Sequence, residues 1–184
     1  MNLHYETVSP LLKETLQKLV NSPIFKDFTL IGGTCLSLQL GHRRSIDIDL
    51  FTDIDYGTMN TKEMKEFIQR SFPYSENTDS LDTSALGYTL YMGDSPIDKI
   101  KVDFFYTEKF IFPIQEIDHI RIADIREIAA MKLSAITEEE PRQKDFWDIH
   151  ELNEKYSFKD RIDWGIKRNE WSVTEEGILN GFQK

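Results

Sequence analysis

The chain has 184 residues, 40% of them hydrophobic, and 32 acidic against 22 basic side chains give it a net charge of −10. A chain of this size and apolar content builds its own core, which excludes global disorder, and no apolar run approaches the roughly 20 residues that span a bilayer. The acidic balance repels nucleic acid at long range and argues against a generic nucleic-acid binder, while leaving room for an enzyme that takes a nucleotide.

The single cysteine, Cys35, excludes an intramolecular disulfide and a cysteine-based zinc site. The opening residues, Met1 to Glu6, lack a basic region followed by an apolar stretch, so a cytoplasmic chain with no membrane partner is expected.

Ser9-Pro10 predicts a helix start, a capping hydroxyl followed by proline at the first helical position. Leu11, Leu12, Thr15, Leu16, Leu19 and Val20 then share one face, and Asn21-Ser22-Pro23 ends the helix. Phe28 to Ile31 reads as a short buried strand that runs into Gly32-Gly33-Thr34. A helix follows from Cys35 to Leu40, stopped by Gly41. Ile46 to Phe51 alternates strictly: Ile46, Ile48 and Leu50 take one face, Asp47 and Asp49 the other. Asn60 to Ser71 predicts a helix with a capping box from Asn60 and Glu63. Leu86–Met92 and Lys99–Tyr106 predict a hairpin with a longish loop around Gly93-Asp94-Ser95-Pro96. Asp124 and Glu127 cap a helix from Ile125 to Ile136. Arg142 to Tyr156 is amphipathic, Ser157 and Asp160 open a helix to about Asn169, and Trp171 to Lys184 holds one or two more turns. The expected architecture is α/β over residues 1–120, a small mixed sheet with flanking helices, and a helical region over 121–184 packed on it as a single compact unit.

The sharpest chemical signal is Asp47-x-Asp49. Two carboxylates on one strand face repel unless one is protonated or a cation sits between them, and Mg²⁺ takes one or two carboxylates plus substrate phosphates. Asp103, in the apolar strand Lys101-Val102-Asp103-Phe104-Phe105, supplies a third oxygen donor if that strand joins the same sheet. Three carboxylates from two strands suit two-metal phosphoryl chemistry. An Asp-x-Asp pair also fits the solvated face of an edge strand, or a glycosyltransferase that holds a nucleotide-sugar through Mn²⁺. Upstream, Gly32-Gly33-Thr34 lets backbone approach a ligand, and the free N–H groups of a helix start favour phosphate.

Leu30-Ile31-Gly32-Gly33-Thr34, followed by Gly41-His42-Arg43-x-Ser45-x-Asp47-x-Asp49-Leu50-Phe51, resembles the nucleotidyltransferase superfamily that includes DNA polymerase beta. More narrowly it resembles the abortive-infection AbiEii/AbiGii toxin family. The strand around Asp103, the helix Ala129 to Ile136 with Lys132, and Arg142-Gln143-Lys144-Asp145-Phe146-Trp147-Asp148 match that family's later motifs in order. The resemblance implies an α+β nucleotidyltransferase fold in which Gly32, Gly33 and Thr34 lie against a nucleoside triphosphate and Ser45 sits near its phosphates. It implies Mg²⁺, or Mn²⁺, on Asp47, Asp49 and Asp103. It assigns Lys132, Arg142 and Lys144 to the phosphate charge, and Asp145 to orienting a basic group or the acceptor. His42 and Arg43 are expected to brace the loop.

The implied reaction moves a nucleoside monophosphate from an NTP to a hydroxyl of a tRNA, a protein or a small molecule. The implied role is the toxin of a toxin–antitoxin pair with an antitoxin protein as partner. The alternative is a module of the same fold that holds a nucleotide without turning it over. Trp147, Trp164 and Trp171 read as core residues, and Arg121, Arg126, Arg161, Lys167 and Arg168 as a solvated helix face or a local basic patch.

Overall fold

The computed structural model describes residues 2–77 and 86–183. The chain divides into two compact units: residues 1–109 with 115–122, and residues 110–114 with 123–184.

The first unit begins with α1, Pro10–Val20, where the Ser9 hydroxyl accepts the Leu12 N–H at 3.1 Å. A cap of this kind contributes about 1 kcal/mol. Strand β1, Thr29–Ile31, passes directly into α2, Gly32–Leu40, so the glycines are the first turn of the helix rather than a loop before it. Gly41 ends α2 with φ +71°, and its N–H bonds to the Ser37 carbonyl at 2.8 Å. Strand β2 covers Asp47–Thr52. Ile46, expected to share the buried face, precedes the strand and is 74% exposed. Helix α3, Thr61–Ser71, carries the expected box: Asn60 Oδ1 accepts the Glu63 N–H, and Asn60 Nδ2 donates to Glu63 Oε2.

Strand β3 is Tyr74–Asn77, β4 is Gly87–Ser95 and β5 is Asp98–Tyr106. The β4–β5 hairpin is tighter than its composition suggests. Ser95 pairs with Asp98, leaving only Pro96 and Ile97 in the turn, with a register shift at Gly93–Ser95. Two three-residue strands complete the sheet, β6 at Gln115–Ile117 and β7 at Ile120–Ile122, joined by Asp118 and His119 at positive φ. The order is β3-β4-β5-β2-β1-β7-β6. The sheet is mixed: β2–β5 and β1–β7 are parallel, the other pairs antiparallel.

Alternation then divides the faces. Ile48, Leu50, Val102, Phe104, Leu90 and Met92 are buried on one side. Phe104 stacks on Phe25 and meets Phe28 edge-on, at ring separations of 5.4 and 5.5 Å. The opposite face of β2 and β5 is only half-buried and bears Asp47, Asp49, Lys101 and Asp103. One face therefore holds the sheet together and the other is left for chemistry.

The second unit is helical: α4 Ile125–Ala135, α5 Gln143–Glu151, α6 Phe158–Arg168 and α7 Glu175–Gly181. Its core is Leu133, Ile136, Ile149, Ile162, Val173 and Ile178. Asp124 caps α4, accepting the Arg126 N–H at 2.9 Å, but Glu127 does not close the expected box. Glu127 is fully buried. One oxygen accepts the N–H groups of Ile111 and Phe112, at 2.9 and 3.0 Å, and the other pairs with Arg168 Nε at 2.8 Å. It thereby ties the 110–114 segment to α4 and α6.

Two expectations about surface and core are corrected here. Arg161 is 1% exposed, donating to the Ile149 carbonyl and to Asn153 Oδ1, and Arg168 is buried on Glu127, so neither belongs to a solvated patch. Trp171 is fully exposed and Trp147 largely so; only Trp164 packs, edge-on to Phe112 and Tyr156. Among the described residues no helix is long and apolar enough to cross a membrane.

Candidate active site

The register of β2 and β5 decides what the three carboxylates can do. Asp49 is paired with Asp103 and Asp47 with Lys101 in the parallel ladder. Paired positions on adjacent strands lie about 5 Å apart and project to the same side. Across the next ladder Asp103 pairs with Thr89 of β4. One half-buried face therefore carries Asp47, Asp49 and Asp103 at neighbouring positions, with Lys101 among them.

Asp103 is held from two sides. Thr89 Oγ1 donates to its Oδ1 at 2.5 Å, and Lys101 Nζ donates to its Oδ2 at 2.6 Å. Burial works against the charge on Lys101. The Asp103 hydrogen bond and the charges of Asp103, Asp47 and Asp49 outweigh it and hold the ammonium above the usual lysine range. In this arrangement no three acidic, histidine or cysteine side chains among the described residues converge to hold a metal ion. The donor set still suits a hard divalent cation, since it is all carboxylate and lies on an accessible sheet face. Each oxygen of Asp103 already has one neighbour and keeps a further lone pair for another.

The glycine turn abuts this face. Ile31 of β1 pairs with Asp49, so the first residue of α2 falls beside that carboxylate. Gly32 has φ +69°, and a Cβ there would lie 2.2 Å from Asp49 Oδ2. A Cβ on Gly33 would lie 2.5 Å from Nη2 of Arg43. Each glycine faces a different charged side-chain end, one anionic and one cationic, and only Gly32 also needs its left-handed backbone. Thr34 is buried. Its hydroxyl donates to the Asp47 carbonyl and lies 2.8 Å from Ser45 Oγ, so with its single proton committed it accepts from Ser45. Thr34 and Ser45 thus lock the start of α2 to the start of β2, while the Ser45 N–H bonds to the Thr7 carbonyl at 2.9 Å. The guanidinium of Arg43, expected only to brace its loop, also stands over the turn, with Nη1 donating to the Arg44 carbonyl at 3.0 Å.

The remaining sequence-derived candidates lie in the helical unit, where Lys132, Arg142 and Asp145 form a cluster. Lys132 is 5% exposed, and its Nζ lies 2.5 Å from Asp145 Oδ1 and 2.7 Å from Asp148 Oδ2. Arg142 also reaches Asp145, with Nε 3.0 Å from Oδ2, but its own side chain is 64% exposed. Asp145 and Asp148 are both buried. Lys144 is half-buried on the first turn of α5.

Lys101 and Thr89 join the site without a motif to mark them. The place of Lys101 is legible in the sequence, since a lysine two residues before a strand carboxylate shares its face. The place of Thr89 beside Asp103 depends on the hairpin register, which the sequence alone does not give.

The model of the family described as nucleotidyl transferase AbiEii toxin, type IV toxin–antitoxin system, matches residues 14–170. The chain belongs to this family. It is a nucleotidyltransferase with the fold expected for one, a mixed α/β sheet unit followed by helices. An uncharacterized protein of Aquifex aeolicus is 33% identical over 173 residues, spanning 89% of this chain and 73% of that one. Two solved structures share the fold at lower identity. MenT4, a nucleotidyltransferase toxin of Mycobacterium tuberculosis, superposes with a TM-score of 0.60 at 14% identity, over 90% of this chain and 64% of MenT4. An antigenic nucleotidyltransferase-like protein of Paracoccidioides brasiliensis gives 0.55 at 14%, over 95% of this chain and 87% of that one.

Proposed function

We propose that the chain transfers a nucleoside monophosphate from an NTP to a hydroxyl acceptor, with a divalent cation on Asp47, Asp49 and Asp103, and that it acts as the toxin of a toxin–antitoxin pair. The observation that carries this reading is the ladder that sets Asp49 against Asp103, with Gly32 pressed on the Asp49 carboxylate. It puts an anion-tolerant helix start and a set of oxygen donors side by side, as a triphosphate with its counter-ions requires.

The chain's own groups divide the work. The N–H groups at the start of α2 face the phosphates, unobstructed because Gly32 and Gly33 carry no side chain, and Arg43 adds a positive charge beside them. Thr34 and Ser45 hold that turn in place. Asp103 would accept the acceptor's proton as the acceptor oxygen attacks the α-phosphorus and pyrophosphate leaves. A divalent ion bound to the carboxylates supplies charge neutralisation and lowers the acceptor's pKa. Most of the rate enhancement then comes from positioning and fixed charge rather than from covalent catalysis.

In the helical unit we read Lys132 as the strut of a buried ion cluster and Asp145 as the group that orients both Lys132 and Arg142. Arg142 and Lys144 are the cations this unit offers to a phosphate.

Expression of the chain in a bacterial host tests the biological half of the proposal. Growth arrest that disappears in Asp49→Ala is the expected result. Unimpaired growth with abundant folded wild type contradicts the toxin role. Incubation of the purified protein with labelled NTPs, Mg²⁺ and separate RNA, protein and metabolite fractions identifies the acceptor class.

A further inference from the structure

We propose that Lys101 is a resident counter-ion of the carboxylate trio, competing with the divalent cation for Asp103, so that the cation is taken up together with the nucleotide rather than ahead of it. This rests on the carboxylate site proposed above and adds a residue and a loading order to it.

The argument starts from the ladder. Lys101 pairs with Asp47, and Asp103 pairs with Asp49, so on this face the Lys101 ammonium lies among the three carboxylates. Its Nζ is bound to Asp103 Oδ2 at 2.6 Å, and Thr89 holds the other oxygen at 2.5 Å. The two contacts differ in kind. Thr89 is neutral and fixes only direction; Lys101 also cancels one negative charge. A cation approaching Asp103 must displace the ammonium and works against its charge at short range, where the half-buried site screens weakly. A triphosphate arriving with the cation removes that penalty. It offers the released ammonium new oxygens within the reach of a four-carbon stem. The observed geometry turns the Asp103 carboxylate to Lys101 and Thr89, the two groups an arriving cation meets there.

Binding of Mn²⁺ to the full chain, followed by electron paramagnetic resonance without turnover, tests the proposal. The proteins are wild type, Lys101→Met, Lys101→Gln, Lys101→Arg, Thr89→Val and Asp49→Asn, each checked for folding by circular dichroism. The neutral Lys101 variants are expected to bind Mn²⁺ about tenfold more tightly than wild type, and Lys101→Arg to stay near it. Thr89→Val, which frees the same carboxylate without changing charge, should not reproduce the gain. Adding the four α,β-methylene nucleoside triphosphates should raise Mn²⁺ affinity more in wild type than in Lys101→Met. The proposal is overturned if both neutral variants bind Mn²⁺ within twofold of wild type, or more weakly, or if Thr89→Val matches them. Asp49→Asn separates this failure from that of the site itself: unchanged Mn²⁺ binding there sinks the carboxylate site, whatever Lys101 does.

Discussion

Asp49 and Asp103 stand in direct register across the parallel β2–β5 ladder, and Gly32 lies against the first of them. Two like charges at adjacent positions on a half-buried face are unfavourable for folding. The sheet accommodates them with one lysine and one threonine on Asp103 and a glycine beside Asp49. A fold that concentrates acid in this way holds a site whose stability and activity pull in opposite directions.

Neutralising one carboxylate should therefore separate the two properties. Asp47→Asn is expected to lower the transfer rate by at least about a hundredfold, the scale lost when one electrostatic stabiliser is removed. Its melting temperature should stay level or rise, because a like-charge repulsion has been removed. Steady-state kinetics and a thermal melt on the same preparation check both halves. A fall in melting temperature with the rate preserved would contradict the assignment.

Gly32→Ala tests the turn. The backbone there is left-handed, and the added methyl would sit 2.2 Å from Asp49 Oδ2. The conformational term alone costs about 1–2 kcal/mol, and the carboxylate must shift as well. Loss of stability in urea together with loss of activity is expected. An alanine variant as active as wild type would show that the turn does not position Asp49.

The buried cluster in the helical unit makes a different prediction. Lys132 pairs with both Asp145 and Asp148, and all three side chains are buried. Lys132→Met leaves two carboxylates without that cation, and breaking a buried pair in this way costs about 3–5 kcal/mol. Lys132→Met combined with Asp145→Asn and Asp148→Asn should recover most of that loss. Urea midpoints of the single and triple variants decide the matter, since failure of the triple variant to recover would show that packing rather than charge is at stake.

Glu127 gives a pH dependence. Its burial pushes the carboxyl above the usual 4.5, against the opposing pull of the Arg168 charge and the Phe112 and Ile111 N–H groups. A carboxyl whose pKa is raised by folding binds protons more tightly in the native state, so it loses stability as pH rises from 4.5 toward the folded-state value. Glu127→Gln removes this term. Unfolding free energies of the two proteins between pH 4 and 7, a range of about three units around the relevant titration, should show wild type declining relative to the glutamine variant just above 4.5 and running parallel at higher pH. A wild type that gains on the variant with rising pH contradicts the reading.

Much of the candidate site is visible in the sequence because its signals are local. Period-two alternation puts Asp47 and Asp49 on one face, and a glycine pair between strand and helix marks a close backbone approach. The adjacency of Asp103 to Asp49 is a fact of long-range register and needs the structure. The same holds for Lys132, whose partners on α5 are Asp145 and Asp148. Arg161 and Arg168 look like surface residues because charge is ordinarily solvated. Their burial depends on the Ile149 carbonyl, Asn153 and Glu127, which only the packed helices bring to them. Strands β6 and β7 have three residues each, too few for alternation to register.

The central claim, nucleotidyl transfer from an NTP at the Asp47, Asp49 and Asp103 face, is tested most directly by following label from two positions of the substrate. Purified protein is incubated with Mg²⁺, a cell extract and NTPs labelled at either the α- or the γ-phosphorus. The account predicts that α-label enters an acceptor, that γ-label leaves as pyrophosphate, and that Asp49→Asn transfers neither while remaining folded. Transfer of γ-label, or α-label incorporation undiminished in Asp49→Asn, would contradict it.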